Sequence, residues 1–152
     1  MDVHEEISNA LQEKLAEYMA SSANAKNLEV PPKIFQEMQG RFVSYMTNES
    51  LQISFPVKET YANPMQTMQG GMIATAFDCA FGALSYLLVA RPSATLGLNT
   101  NYIRPIPIGD TILVEAKLVV RGFHTMNLSG ECYNSKKKLL ATATSHVLLI
   151  NT

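Results

Sequence analysis

The chain has 152 residues, 47% hydrophobic and 16% charged, with a net charge of −1. That is material for one core and little for a second domain, and near-neutral charge without a basic stripe argues against nucleic acid as the main partner. Cys79 and Cys132 have neither metal-ligand spacing nor a pairing pattern, so two reduced, buried thiols are expected, with no metal site and no disulfide framework.

In chain order, Val3, Ile7, Leu11, Leu15 and Tyr18 recur at helical spacing and predict an amphipathic helix that ends before the polar stretch Ser21 to Asn27. Pro31-Pro32 then opens a short helix through Ile34, Phe35 and Met38, stopped by Gly40. Residues 1–40 are thus expected to form a helical N-terminal extension of a single domain over 1–152. The opening Met-Asp-Val-His-Glu-Glu lacks the basic start and apolar core of a signal peptide, which makes the cytoplasm the expected location.

From Arg41 the hydrophobic period changes to two. Leu51, Ile53, Phe55 and Val57 alternate with polar residues, and Asn48-Glu49-Ser50 turns this run back on Arg41 to Thr47, predicting a hairpin. A long apolar helix follows from Gly71 to Ala90, and then four more alternating runs: Thr95 to Ile103, Thr111 to Arg121, Phe123 to Tyr133 and Leu139 to Ile150. The helix is long enough to span a bilayer, but its Gly, Ser, Thr and central Asp78, and the lack of a basic flank pattern beyond Arg91, favour an enclosed core helix over a membrane span. A hairpin, one apolar helix and consecutive strands imply an α+β fold in which an antiparallel sheet of about six strands covers the helix. One sheet leaves the far side of such a helix open, so a homodimer is expected.

Asp78 is the sole formally charged side chain between Glu59 and Arg91. An unpaired buried carboxylate costs several kcal/mol, so Asp78 is read either as satisfied by a core partner, such as a loop amide, or as kept for acid/base or nucleophilic work.

The stretch Asn63-Pro-Met-Gln-Thr-Met-Gln69-Gly70-Gly71-x6-Asp78, followed by Asn99-Thr-Asn-Tyr102-Ile-Arg-Pro105 and Gly109-Asp110, resembles the hotdog-fold acyl-CoA thioesterases of the phenylacetate-degradation type over about residues 41 to 150. That resemblance implies a hotdog fold, a sheet wrapped around a long central helix, with two sites per dimer at the helix interface and a further pairing of dimers into a homotetramer. It implies also that Thr95 stands where relatives carry a Ser or Thr that holds the attacking water; the alternative for Thr95 is a β-branched strand residue. One departure stands out: the family usually has His-Gly-Gly, and here Gln69 takes the place of the His. Glutamine hydrogen-bonds but does not titrate near neutral pH.

The chemistry follows from the residues as well. Thioester hydrolysis needs a group that activates or delivers an oxygen nucleophile, for which Asp78 is suited, and donors aimed at the developing oxyanion. Gly70-Gly71 at a helix N-terminus offers unpaired N–H groups, and Asn63 adds a side-chain amide or else is a turn residue before Pro64. Gly70 and Asp78 are eight positions apart, roughly 12 Å along a helix, too far for one substrate carbon to meet both. A site therefore requires Gly70 of one subunit to face Asp78 of another.

Met65, Met68, Met72, Phe77 and Phe81, with the N-terminal helices, are expected to line the acyl pocket beside Gly71. Arg104, Arg121 and Lys136, the last within Lys136-Lys137-Lys138, are candidate contacts for the coenzyme A phosphates, with a solvated turn as the alternative for the lysines. The expected activity is hydrolysis of a small or medium, aliphatic or aromatic acyl-CoA, with no cofactor beyond the coenzyme A of the substrate. The alternatives are a hotdog dehydratase or hydratase on acyl thioesters and a non-catalytic acyl-CoA binding module.

Overall fold

The computed structural model describes residues 1–22 and 27–150, so most of the polar break expected between the first two helices lies outside the described residues. Helices α1 (Val3–Ser21) and α2 (Lys33–Glu37) lead into the hairpin β1 (Arg41–Met46) and β2 (Ser50–Pro56). A 3-10 turn (Glu59–Tyr61) and the long α3 (Gly70–Val89) follow, and then β3 (Ser93–Tyr102), β4 (Thr111–Arg121), β5 (Thr125–Tyr133) and β6 (Leu139–Leu149). The six strands form one sheet in the order β1-β2-β4-β5-β6-β3, antiparallel at every pairing.

α1 opens on a capping box: Asp2 Oδ1 accepts from the Glu5 N–H at 2.9 Å, and Glu5 Oε2 accepts from the Asp2 N–H at 3.3 Å. Ile7, Leu11, Leu15 and Tyr18 are buried as their spacing predicts, while Val3 is exposed. The helix is tied to the sheet where the Phe42 N–H donates to His4 Nδ1 at 3.0 Å and where Arg41 pairs with Asp2. β5 starts at Thr125 and not at Phe123, because the Gly122 N–H closes on the Thr125 carbonyl at 2.8 Å and leaves Phe123 at the exposed hairpin tip.

The sheet covers α3 along Ile73, Ala76, Phe77, Ala80, Phe81, Leu84, Leu87 and Leu88, all buried. α3 is long and apolar enough to cross a membrane, and 61% of its apolar window is enclosed within the protein. The closest approach is at Gly130 on β5, where an added Cβ would lie 2.9 Å from both the Phe77 and the Phe81 rings. Glycine stands there because the two phenyl rings take its side-chain space. This docking fixes the rotation of α3, leaving Gly71, Asp78 and Gly82 exposed on the opposite face.

Gly130→Ala should therefore lower stability by about 1–3 kcal/mol, because both rings must shift within a packed layer. Thermal unfolding checks this; a melting temperature at or above that of the wild type would contradict the tight contact.

Candidate functional site

Asp78 is not a core carboxylate capping a loop amide. It lies on the outward face of α3, exposed in the single chain, and its Oδ1 accepts the Thr95 hydroxyl at 3.0 Å. Antiparallel return of β3 beside α3 makes this possible: Thr95 is 17 positions further on yet alongside the middle of the helix. The pair opens on a pocket of about 290 Å³ walled by Leu28, Val30, Ile34, Phe35, Ala83 and Tyr86. Gly82, one turn beyond Asp78, lines the same pocket, and a Cβ placed on it would meet nothing within 4 Å. An exposed helical glycine with no steric need to be glycine keeps that space open.

Cys79 also lines this pocket, but burial, together with the charge of Asp78, pushes its thiol up to about 12. It stays protonated at neutral pH, and the thiolate is the nucleophilic form.

The second concavity, about 440 Å³, is lined by Asn63, Met65, Met68, Gly70, Tyr102 and Arg104 among others, and shares no residue with the first. Asn63 builds its loop: Oδ1 accepts from the Met65 and Thr67 N–H groups at 3.0 Å each, and Nδ2 donates to Thr67 Oγ1 at 2.8 Å. A primary amide has two N–H donors, so this accounts for one of them. Gln69 is the N-cap residue of α3, exposed, with no capping bond from its side chain; its backbone N–H donates to the Tyr61 carbonyl at 2.7 Å. The helical ladder begins at Met72, whose N–H donates to the Gln69 carbonyl at 2.9 Å. Gly70 and Gly71 precede it, so their N–H groups have no acceptor within the helix and point out of its positive end.

The structure thus groups Asp78 with Thr95 and, separately, Asn63 with Gly70. Phe77 and Phe81 are corrected: at 0% and 1% exposure they are core against Gly130 and line neither pocket. Met72 packs half-buried against that core, and Met65 and Met68 belong to the second concavity, not to the pocket at Asp78. Of the N-terminal helices expected at the pocket, α2 lines it with Ile34 and Phe35; the loop before it, Leu28 to Val30, is the part of the wall that the sequence did not point to. Arg104 donates to the Leu139 carbonyl at 2.5 Å, beside the turn that carries exposed Lys136. Arg121 lies elsewhere, donating to the Leu88 carbonyl at 3.4 Å near the C-terminal end of α3.

The family model of the thioesterase superfamily matches residues 65–141, which run from the Asn63 loop through α3 to the start of β6. The chain belongs to the thioesterase superfamily. Its class of activity is accordingly thioester hydrolysis. Mouse acyl-coenzyme A thioesterase 13 is 28% identical over 76 residues, 49% of this chain and 54% of the mouse protein. Among solved structures, the Escherichia coli PaaI protein of the phenylacetic acid degradation operon superposes with a TM-score of 0.76 at 17% identity, covering 95% of this chain and 96% of PaaI. The Streptococcus mutans protein smu.793, solved with acetyl CoA, gives a TM-score of 0.72 at 22% identity over 84% of this chain and 96% of its own. With these neighbours, the six-stranded antiparallel sheet around α3 is the hotdog fold of the thioesterase superfamily.

Since both thiols are pushed up to about 12 by burial, iodoacetamide at pH 8 should label Cys79 and Cys132 far more slowly than in the unfolded chain and leave any hydrolytic activity intact. Mass spectrometry reads the labelling; rapid modification of Cys79 with loss of activity would contradict the protonated thiol.

Proposed function

We propose that this protein is an acyl-CoA thioesterase whose site is assembled from two chains, Asp78 and Thr95 of one subunit facing Asn63, Gly70 and Gly71 of another. One observation carries the reading: the Thr95-held carboxylate and Gly70, at the N-terminus of the same helix, line separate concavities. A single thioester carbon cannot reach across the roughly 12 Å between them within one chain. A second chain laid against the outward face of α3 removes that distance. Association along β3 would favour such an arrangement, since β3 is an edge strand and Leu96, Tyr102 and the adjoining Ile103 are exposed.

The chemistry divides between the two halves. Thr95 occupies one oxygen of Asp78, leaving Oδ2 either to take the proton of an attacking water or to attack the thioester carbon itself. In both routes the carbonyl electrons move onto oxygen, where the Gly70 and Gly71 N–H groups and the helix dipole receive them. The C–S bond then breaks, coenzyme A leaves as the thiolate and gains a proton, and, where Asp78 has been acylated, water frees it. The pocket behind Asp78 takes a small or medium acyl group; Arg104, which lines the second concavity, and the Lys136 turn beside it suit the coenzyme A phosphates. Glutamine at position 69 supplies hydrogen bonding without titrating. Two free, buried cysteines agree with work in a reducing compartment such as the cytoplasm.

A panel of aliphatic and aromatic acyl-CoAs, followed by release of the coenzyme A thiol, tests the reading. Wild type should hydrolyse members of the panel, and Asp78→Asn, which keeps shape and removes charge, should lower kcat by at least about 10²–10⁴-fold with little change in substrate binding. Near-wild-type turnover by Asp78→Asn would overturn the role of the carboxylate. A wild type that binds the panel without hydrolysing any member would favour the binding-module alternative.

A further inference from the structure

The peptide that joins Gly70 to Gly71 is engaged at its oxygen from outside the helix. The Gly70 carbonyl accepts the Tyr102 hydroxyl at 2.8 Å, from a residue 32 positions further along the chain at the end of β3. The tyrosine ring lies so close that a Cβ on Gly70 would stand 3.1 Å from Cζ and 3.2 Å from the hydroxyl oxygen. A side chain at position 70 would thus press on Tyr102, whose exposed ring would have to shift slightly to admit it. At the other end of the same peptide, the Gly71 N–H precedes the helical ladder, and a Cβ on Gly71 meets nothing within 4 Å. One peptide thus has its oxygen held by a phenol while its N–H has no acceptor within the helix.

A peptide is a single conjugated unit, so a hydrogen bond accepted at oxygen draws electron density from nitrogen and strengthens the N–H as a donor, by about 10–30% per bond. The neighbouring amide is treated alike: Gly70 N–H belongs to the Gln69–Gly70 peptide, whose oxygen accepts from Met72 at 2.9 Å and Ile73 at 3.2 Å. Within that pair Tyr102 is the side chain that supplies the loading, and its bond also fixes the plane of the Gly70–Gly71 peptide. Resting on the reading that these amides meet the oxyanion, we propose that Tyr102 is a positioning residue of the oxyanion site, acting through the Gly70–Gly71 peptide and not by touching the substrate.

Tyr102→Phe isolates the hydroxyl, because the ring over Gly70 is kept. A complete oxyanion donor is worth about 10²–10³ in kcat, so loss of a 10–30% strengthening should lower kcat about two- to eight-fold on every acyl-CoA hydrolysed, with KM and melting temperature nearly unchanged. In nitrogen-15-labelled protein, the Gly71 amide proton should move upfield in Tyr102→Phe while the amides at the other end of α3 stay in place. An unmoved Gly71 amide overturns the proposal whatever happens to the rate, and so does a rise in KM at constant kcat, which would mark a direct substrate contact. A wild type without hydrolytic activity would overturn the thioesterase reading; the amide shift needs no turnover and decides separately whether Tyr102 polarises the peptide.

Discussion

The rotational setting of α3 governs the rest of the molecule. Phe77 and Phe81, one turn apart, press their rings into the space left by Gly130, and with that contact made the helix has no freedom to turn about its axis. At 100° per residue, Asp78 follows Phe77 and is carried away from the sheet. Gly71, Thr75, Asp78 and Gly82 then share the outward face at helical spacing, with Thr75 returning its hydroxyl to the Gly71 carbonyl at 2.9 Å. One core contact therefore places the carboxylate, the open floor at Gly82 and the second of the free amides.

The same setting divides the chemistry. A helix with unpaired amides at its first residues and a carboxylate two turns later cannot present both to one carbon. Each half has its own support from elsewhere in the chain: Thr95 from the start of β3 holds Asp78, and Tyr102 from the end of the same strand holds Gly70. β3 is thus the brace for both halves of the site, and it is an edge strand, available to a second copy on its open side. In the proposed two-chain site, assembly and catalysis would draw on the same surface.

Much of this was readable from sequence because local periodicity records which faces are buried. The alternation through Leu51 to Val57 and the spacing of Ile7, Leu11, Leu15 and Tyr18 appear as β2 and α1 with those residues buried. Position within the sheet is a long-range property, and nothing local announces that β4 pairs with β2 while β3 goes to the far edge beside β6. α3 is apolar nearly all round, so its sequence carries no phase to distinguish core from pocket; this is why Phe77 and Phe81 read as pocket wall when they are core. Of the actual wall, the short helix with Ile34 and Phe35 was expected, whereas Leu28 to Val30 comes from a loop whose place over Asp78 depends on tertiary packing. Tyr102 was visible within its motif, but its partner, a backbone carbonyl 32 positions away, has no side-chain signature.

Shared assembly of the site is tested most directly by mixing two inactive variants, Asp78→Asn and Gly70→Pro. Proline suits the first helical position, and Gln69 before it already has ψ of 134°, within the range that a residue preceding proline adopts. The exposed Tyr102 ring must shift slightly to admit the proline ring, so the fold of each variant is verified first. With exchange of subunits shown independently, random pairing places about half of the dimers in the mixed form, in which one site combines both intact halves and the other both defects. The account predicts return of roughly a quarter of wild-type activity from two inactive parents, whereas no recovery under verified exchange would contradict a site shared between chains.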